Sequence, residues 1–195
     1  SVRILGVLQR IALAYFFAAI IVYYLKGTRA LYAAMLLLLG YWALCLLGNP
    51  ADPYSLQGWF GTDIDKAILG VKHMYKGEGI PFDPEGIMST IPAITQVILG
   101  YFVGQHIKEN GTNKEQLPTM LNTLFVAAIA MLVTGFCWDM VMPINKKIWT
   151  SSYVVYTTGL ATLTIATMIY LIEIKGVQSK ITHFFDVFGK NALFV

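Results

Sequence analysis

Ile4-Leu5-Gly6-Val7-Leu8-Gln9-Arg10-Ile11-Ala12-Leu13-Ala14-Tyr15-Phe16-Phe17-Ala18-Ala19-Ile20-Ile21-Val22-Tyr23-Tyr24-Leu25 is followed by only Lys26-Gly27-Thr28-Arg29 before apolar residues resume at Ala30 and run to Leu47. Each block approaches bilayer length, since about 20 residues at 1.5 Å rise span roughly 30 Å of hydrocarbon. A four-residue polar turn between two such blocks allows an antiparallel helical hairpin and little else. The pattern predicts an all-α, polytopic transmembrane helix bundle.

The rest of the chain repeats the pattern. Further spans are expected near Ile87–Ile107, Met120–Met142 and Ile148–Ile172, with a sixth beginning near His183, giving five complete spans plus the start of another. Asn110-Gly111 is expected to close the third span through a left-handed residue, and Pro118 to open the fourth. Charged residues are only 13% of the 195, apolar residues 56%, and mean hydropathy is +0.62. A soluble domain carries about 25% charge, so a soluble core does not account for this composition. Net charge is +3, with Lys and Arg scattered rather than striped, which argues against nucleic acid. Cys45 and Cys137 lie in separate apolar blocks without a CxxC and are read as buried packing; His73, His106 and His183 lack metal-ligand spacing, so no metal is expected. The chain starts without Met and stops at Phe194-Val195 within an apolar run, so both ends are expected to be cut and residues 1–195 to form a single transmembrane domain fragment.

Residues 48–86 form a long loop expected on the outer side. Within it, Thr62-Asp63-Ile64-Asp65 resembles a capping box, and the spacing of Ile64, Ala67, Ile68, Val71, Met74 and Tyr75 predicts a short amphipathic helix over 62–76. With Lys66, Lys72, Lys76, Trp59 and Phe60 it suits either the headgroup layer or packing over the bundle end. The opposite connections carry Lys26, Arg29, Lys108, Lys114, Lys175 and Lys180, which the positive-inside rule assigns to the cytoplasm.

Certain polar positions stand out against this apolar background. Arg10 either snorkels or has a partner, because Arg at a bilayer centre costs about 2.5–3.5 kcal/mol on insertion scales. Gly100-Tyr101-Phe102-Val103-Gly104 is a GxxxG expected to admit a close helix, and Thr157, Thr158, Gly159, Ala161, Thr162, Thr164 and Ala166 form a small, hydroxyl-rich surface for packing or for a cavity wall. Asp83 and Glu85, separated by Pro84, serve either as helix-start carboxylates or as acid and base at a pocket edge. Asn145, Lys146, Lys147 and Trp149 precede a span, as interface anchors or as donors to an anionic or carbonyl oxygen.

Taken in order, Ile4-Leu5-Gly6-Val7-Leu8-Gln9-Arg10-Ile11-Ala12, Phe82-Asp83-Pro84-Glu85-Gly86-Ile87, Pro143-Ile144-Asn145-Lys146-Lys147-Ile148-Trp149 and Gly189-Lys190-Asn191-Ala192 resemble the heparan-α-glucosaminide N-acetyltransferase family and its bacterial relatives. Leu5 stands where that family often has Pro. The resemblance implies a multi-pass enzyme in the lipid bilayer, a bacterial inner membrane in a bacterium, that moves acetyl from cytosolic acetyl-CoA to an amino-sugar on the outer side, with a possible homodimer. It implies a catalytic histidine in an His-x-x-Trp-Asn-Gly context that these residues lack, so none of the three histidines takes that role and the fragment alone is expected to be inactive. Asp83, Glu85 and Asn145 would support catalysis, and Gln9, Arg10, Lys146, Lys147, Trp149 and Asn191 would hold substrate. A transporter, or a non-catalytic membrane protein of the same fold, is the alternative; no internal repeat of the transporter kind is seen.

Overall fold

The computed structural model describes residues 3–177 and 189–190. Its long elements are α1 (Val7–Leu25), α2 (Gly27–Gly48), α4 (Ile87–Asn110), α5 (Leu117–Asp139) and α6 (Ser151–Ile169), with α3 (Phe60–Leu69) in the long loop. A π-helical turn, Tyr170–Ile174, extends α6. Five helices are therefore long and apolar enough to cross a membrane, as expected. The sixth span expected near His183 lies outside the described residues, as does Lys180.

Helix α4 is the hub, touching α1, α2, α3, α5 and α6. Ala14 and Ala18 of α1 meet Ala93, Ile94 and Ile98 of α4 and Ala34 of α2, small residues that let the backbones approach. Hydroxyls join the helices where hydrocarbon offers no competing water. Thr95 donates to the Ala34 carbonyl at 3.2 Å, Ser151 to the Leu38 carbonyl at 2.8 Å, and Tyr41 to the Ile148 carbonyl.

Several boundaries differ from expectation. The α1–α2 turn is a single residue, Lys26, at φ 48° and ψ 148°. The fourth span starts at Leu117, with Pro118 still in the first turn, and ends at Asp139 rather than Met142; the Asp139 carboxylate accepts the Ile144 N–H and closes the turn. Gly111 does end α4, but in the right-handed region at φ −78°. The helix expected over 62–76 runs over Phe60–Leu69 and stops because Gly70 turns left-handed at φ 78°. Its start is Trp59, not a Thr62 capping box, and Thr62 instead donates into the loop at Leu56. Trp59 is 1% exposed and packs with Tyr41, Cys45 and Phe82, so this segment covers the bundle end.

The GxxxG expectation fails among the described residues: a Cβ on Gly100 or Gly104 would find nothing within 4 Å. Close approach occurs between α5 and α6 instead, where a Cβ on Gly135 would sit 2.7 Å from the Tyr156 backbone nitrogen, and one on Gly159 3.0 Å from the Ala128 carbonyl oxygen. Thr158, Gly159, Thr162 and Ala166 form the buried α6 stripe, the packing use of that hydroxyl-rich surface. Cys45 is buried as expected, whereas Cys137 is exposed on the outer face of α5.

Asp65 on α3 places the start of α4. It is wholly buried; one carboxylate oxygen accepts the Ile87 N–H at 2.9 Å, supplying the cap that Gly86 cannot. The other oxygen has no partner among the described residues and lies where a Cβ on Gly86 would meet it at 1.9 Å. Burial pushes this carboxyl up to about 6 from an ordinary 3.8.

Two outcomes follow. Gly135→Ala is expected to destabilise the folded protein by about 1–3 kcal/mol through overpacking, with Gly100→Ala neutral, as read by thermal unfolding in detergent. The native state binds a proton on Asp65 more tightly than the unfolded chain, so the Asp65 contribution to stability falls as pH rises from about 4 to about 6 and is constant above that. A two-unit shift corresponds to roughly 3 kcal/mol as an upper bound. Asp65→Asn, which keeps an oxygen for Ile87, should flatten that part of the melting temperature against pH curve; an unchanged slope would disprove the assignment.

Candidate functional site

At one end of the bundle, three segments far apart in sequence meet around Arg10. Its guanidinium is carried on the first turn of α1 and is only 6% exposed. One terminal nitrogen donates to the Pro84 carbonyl at 3.1 Å, the other reaches the Ser89 carbonyl at 3.5 Å, and the group lies 3.7 Å from the centroid of the Trp149 ring. Carbonyl dipoles and an indole face stabilise a desolvated cation, and Arg suits this because its planar, weakly hydrated group can stack and donate together. No carboxylate lies within hydrogen-bonding distance of Arg10 among the described residues. These two bonds use two of its five N–H donors, leaving donors for another acceptor.

The neighbouring carboxylates belong to a different cation. Arg3, just before α1, donates to both oxygens of Asp83 and to Glu85, with its guanidinium 4.8 Å from the Tyr75 ring centroid. The Asp83 hydrogen bond leads the causes that raise the Arg3 pKa above its ordinary value, against the opposing pull of burial. Asp83 is wholly buried and also accepts the Tyr75 N–H at 3.3 Å and the Glu85 N–H at 3.1 Å. Its acceptor sites are thus taken up in pinning the 75–85 loop to the chain start. Glu85 has fewer bonds, and its side chain is 19% exposed. Ser89 holds the turn from below, its hydroxyl shared between the Pro84 and Gly86 carbonyls.

Trp149 adopts φ 54°, a left-handed conformation that costs a bulky residue on the order of 1–3 kcal/mol. The turn around it holds it there. Thr150 Oγ1 accepts the Asn145 N–H at 3.0 Å and donates to the Pro143 carbonyl at 2.9 Å, while the Ile148 side chain is buried beneath. From that position the indole presents its face to Arg10 and donates through Nε1 to Gln96 Oε1 at 3.0 Å; Gln96 in turn donates to Thr157 at 3.3 Å. A continuous polar chain therefore enters the bundle from Arg10 through Trp149 and Gln96 to α6.

The remaining expected site residues divide by position. Asn145 is spent within the fold, accepting the Lys147 N–H in its own turn and donating to the Tyr54 carbonyl of the long loop at 3.4 Å. Lys147 pairs with Glu78 of the long loop. Lys146 and Gln9 are exposed, and Asn191 lies outside the described residues. Arg3, Ser89 and Gln96 escaped sequence reasoning. Gln96 had a usable signal, a lone amide inside an apolar span, which should seek a buried partner. Arg3 had none, since its partners are eighty residues away.

No protein-family model matches the chain. Among curated proteins it is 27% identical over 163 residues to the heparan-alpha-glucosaminide N-acetyltransferase of Mus musculus, covering 73% of this chain and 23% of that protein. It is 24% identical over 148 residues to the Homo sapiens protein of the same name, covering 68% and 21%. The chain thus spans less than a quarter of the length of the curated relatives it matches. With five apolar helices and these two likenesses, the chain is an integral multi-pass membrane protein and a distant relative of the heparan-alpha-glucosaminide N-acetyltransferases.

Proposed function

We propose that this chain is part of a transmembrane acetyltransferase that moves acetyl from cytosolic acetyl-CoA to an amino-sugar at the Arg10 end of the bundle, the outer side of the membrane. In a bacterium that membrane would be the inner one, with the acceptor in the periplasm. The observation that carries the reading is the burial of Arg10 without a carboxylate, with spare N–H donors, where α1, α4 and the turn before α6 converge. A cation so placed favours negative charge developing nearby, which is what acyl transfer generates.

The reaction divides among these groups as follows. The neutral acceptor amine attacks the thioester carbonyl and forms a tetrahedral oxyanion. Collapse expels the CoA thiolate, while the amine loses a proton to a base and the thiolate takes one up. Arg10 is suited to face the oxyanion or a sugar oxygen. Trp149 offers an apolar face to a sugar ring, and Glu85, the more open carboxylate, to a hydroxyl or ammonium. Asp83 and Asn145 act as positioning residues, since their polar atoms are engaged within the fold. Lys146 and Lys147 lie exposed at the rim, Lys147 paired there with Glu78, where Lys146 can donate to a sugar oxygen. The base is assigned to the part of the protein beyond this chain, in line with the histidine that the family resemblance implies.

The test uses the full-length protein in vesicles with radiolabelled acetyl-CoA and glucosamine. Arg10→Ala is expected to lower kcat/KM about 100-fold, the scale for loss of one oxyanion donor. Arg10→Lys should recover little of it, because an ammonium cannot stack and donate in the same plane. Retention of full activity by a folded Arg10→Ala protein, or sugar uptake without acetylation, sinks the proposal. For topology, single cysteines at positions 85 and 146 should react with an impermeant maleimide from the side opposite to one at position 114, after Cys45 and Cys137 are replaced. Labelling of positions 85 and 146 from different sides would dismantle the site.

A further inference from the structure

The end of the bundle opposite Arg10 carries a groove of about 570 Å³ between α1 and α4. Its floor is small and apolar, with Ala18, Ala19 and Val22 from α1 and Val97 and Ile98 from α4, and the rings of Tyr15, Tyr23 and Tyr101 border it. We infer that this groove seats one acyl chain of an anionic phospholipid, with the lipid phosphate held by Lys26 and Arg29. The inference does not depend on the acetyltransferase reading.

Length is the first argument for that occupant. The groove runs along α1 from Lys26 to Tyr15, about 16 Å at helical rise, against about 15 Å for half the hydrocarbon core. Beyond Tyr15 it closes, because Ala14 there packs with Ala93 and Ile94 of α4. It therefore opens at one membrane surface and ends near the midplane, which is the reach of a lipid in a single leaflet. A helix crossing the bilayer would need a seat of about twice that length.

The second argument is charge at the mouth. Lys26 borders both the groove and the adjoining hollow that contains Arg29. Both side chains are exposed, and neither has an ion-pair partner among the described residues. Glu109, on the α4 side of that mouth, accepts from Gln105 Nε2 at 2.7 Å and so is engaged on its own helix. Basic residues at a membrane surface draw anionic headgroups, and a basic pocket between spans can hold one of them. Lys26 also keeps φ 48° and ψ 148°, strained for any residue with a side chain; a glycine there would release the strain but remove the charge.

The third is the grading of the lining. Tyr23 lies one turn below Lys26, at the depth of the glycerol esters, where aromatic residues gather and a phenol can donate to an ester carbonyl. Deeper, the alanine floor leaves a slot bordered by the rings of Tyr15 and Tyr101. A cationic mouth, a phenol at ester depth and an apolar slot below them follow the order of polarity along a phospholipid, from phosphate through ester to chain.

The experiment titrates the full-length protein in detergent with phosphatidylglycerol or phosphatidylcholine of identical chains, reading bound lipid by native mass spectrometry and the melting temperature in parallel. Wild type is expected to retain one phosphatidylglycerol per chain and to melt higher with it, and phosphatidylcholine to do neither. Lys26→Gly combined with Arg29→Gln removes both exposed cations and should weaken phosphatidylglycerol binding at least about tenfold, given about fivefold for each basic residue at an anionic surface. Ala19→Trp fills the slot from an exposed position, leaves both cations in place and should weaken binding to a similar extent. Equal retention of the two lipids by wild type overturns the site, as does phosphatidylglycerol affinity within about twofold of wild type in either variant; an effect of the charge variant alone would be attraction of headgroups to the surface without a seated chain. Crosslinking of Ala19→Cys, with Cys45 and Cys137 replaced, to another span of the full-length protein or to a second copy makes the groove a helix contact and overturns it as well.

Discussion

A cation buried without a carboxylate is the constraint around which this bundle end is organised. Arg10 cannot be left bare in a low-dielectric environment, and the fold answers with two backbone carbonyls and an indole face. Those carbonyls come from the turn that starts α4, and the indole from the turn that starts α6. Satisfying one guanidinium therefore fixes how three helices begin relative to one another. The nearby carboxylates do not neutralise it by direct contact because Arg3 engages both of them. The division leaves Arg10 without a carboxylate in contact, beside a cluster of one guanidinium and two carboxylates that is formally negative.

The same end depends on helix starts being satisfied from elsewhere in the chain. Ile87 is capped by Asp65 from α3, and Gly86 is required because a side chain there would collide with that carboxylate. The long loop is thus a structural part of the site. It supplies the cap for α4, the Asp83–Glu85 turn, and the Glu78 partner of Lys147. Below it, hydroxyl-to-carbonyl bonds from Thr95 and Ser151 hold α4 and α6 to α2, and glycines 135 and 159 bring α5 against α6. Packing of this kind holds helices together where lipid tails are as apolar as the side chains they would replace.

Non-glycine residues in left-handed backbone occur among the described residues at Lys26 and Trp149, one at each end of the bundle. Each sits where a side chain must be aimed rather than merely accommodated. Trp149 turns its ring under Arg10, and Lys26 stands at the mouth of the α1–α4 groove.

The sequence by itself determined the class of protein and its number of described spans, because apolar block length against bilayer thickness is a one-dimensional property. It also marked Arg10, the Asp83–Glu85 turn and Trp149, since polar residues in apolar surroundings are conspicuous without any structure. Partnership was not legible. That Arg3 rather than Arg10 binds Asp83 and Glu85, that Asp65 caps a helix twenty-two residues away, and that Gln96 supports Trp149 are outcomes of helix placement in three dimensions. The GxxxG of α4 and the 62–76 helix were misread for the same reason. A glycine pair permits close approach but does not choose the neighbour, and the heptad-like spacing past Leu69 could not register that Gly70 would turn left-handed. Local pattern specifies what each segment can be, whereas the tertiary packing around Arg10 decided which groups meet.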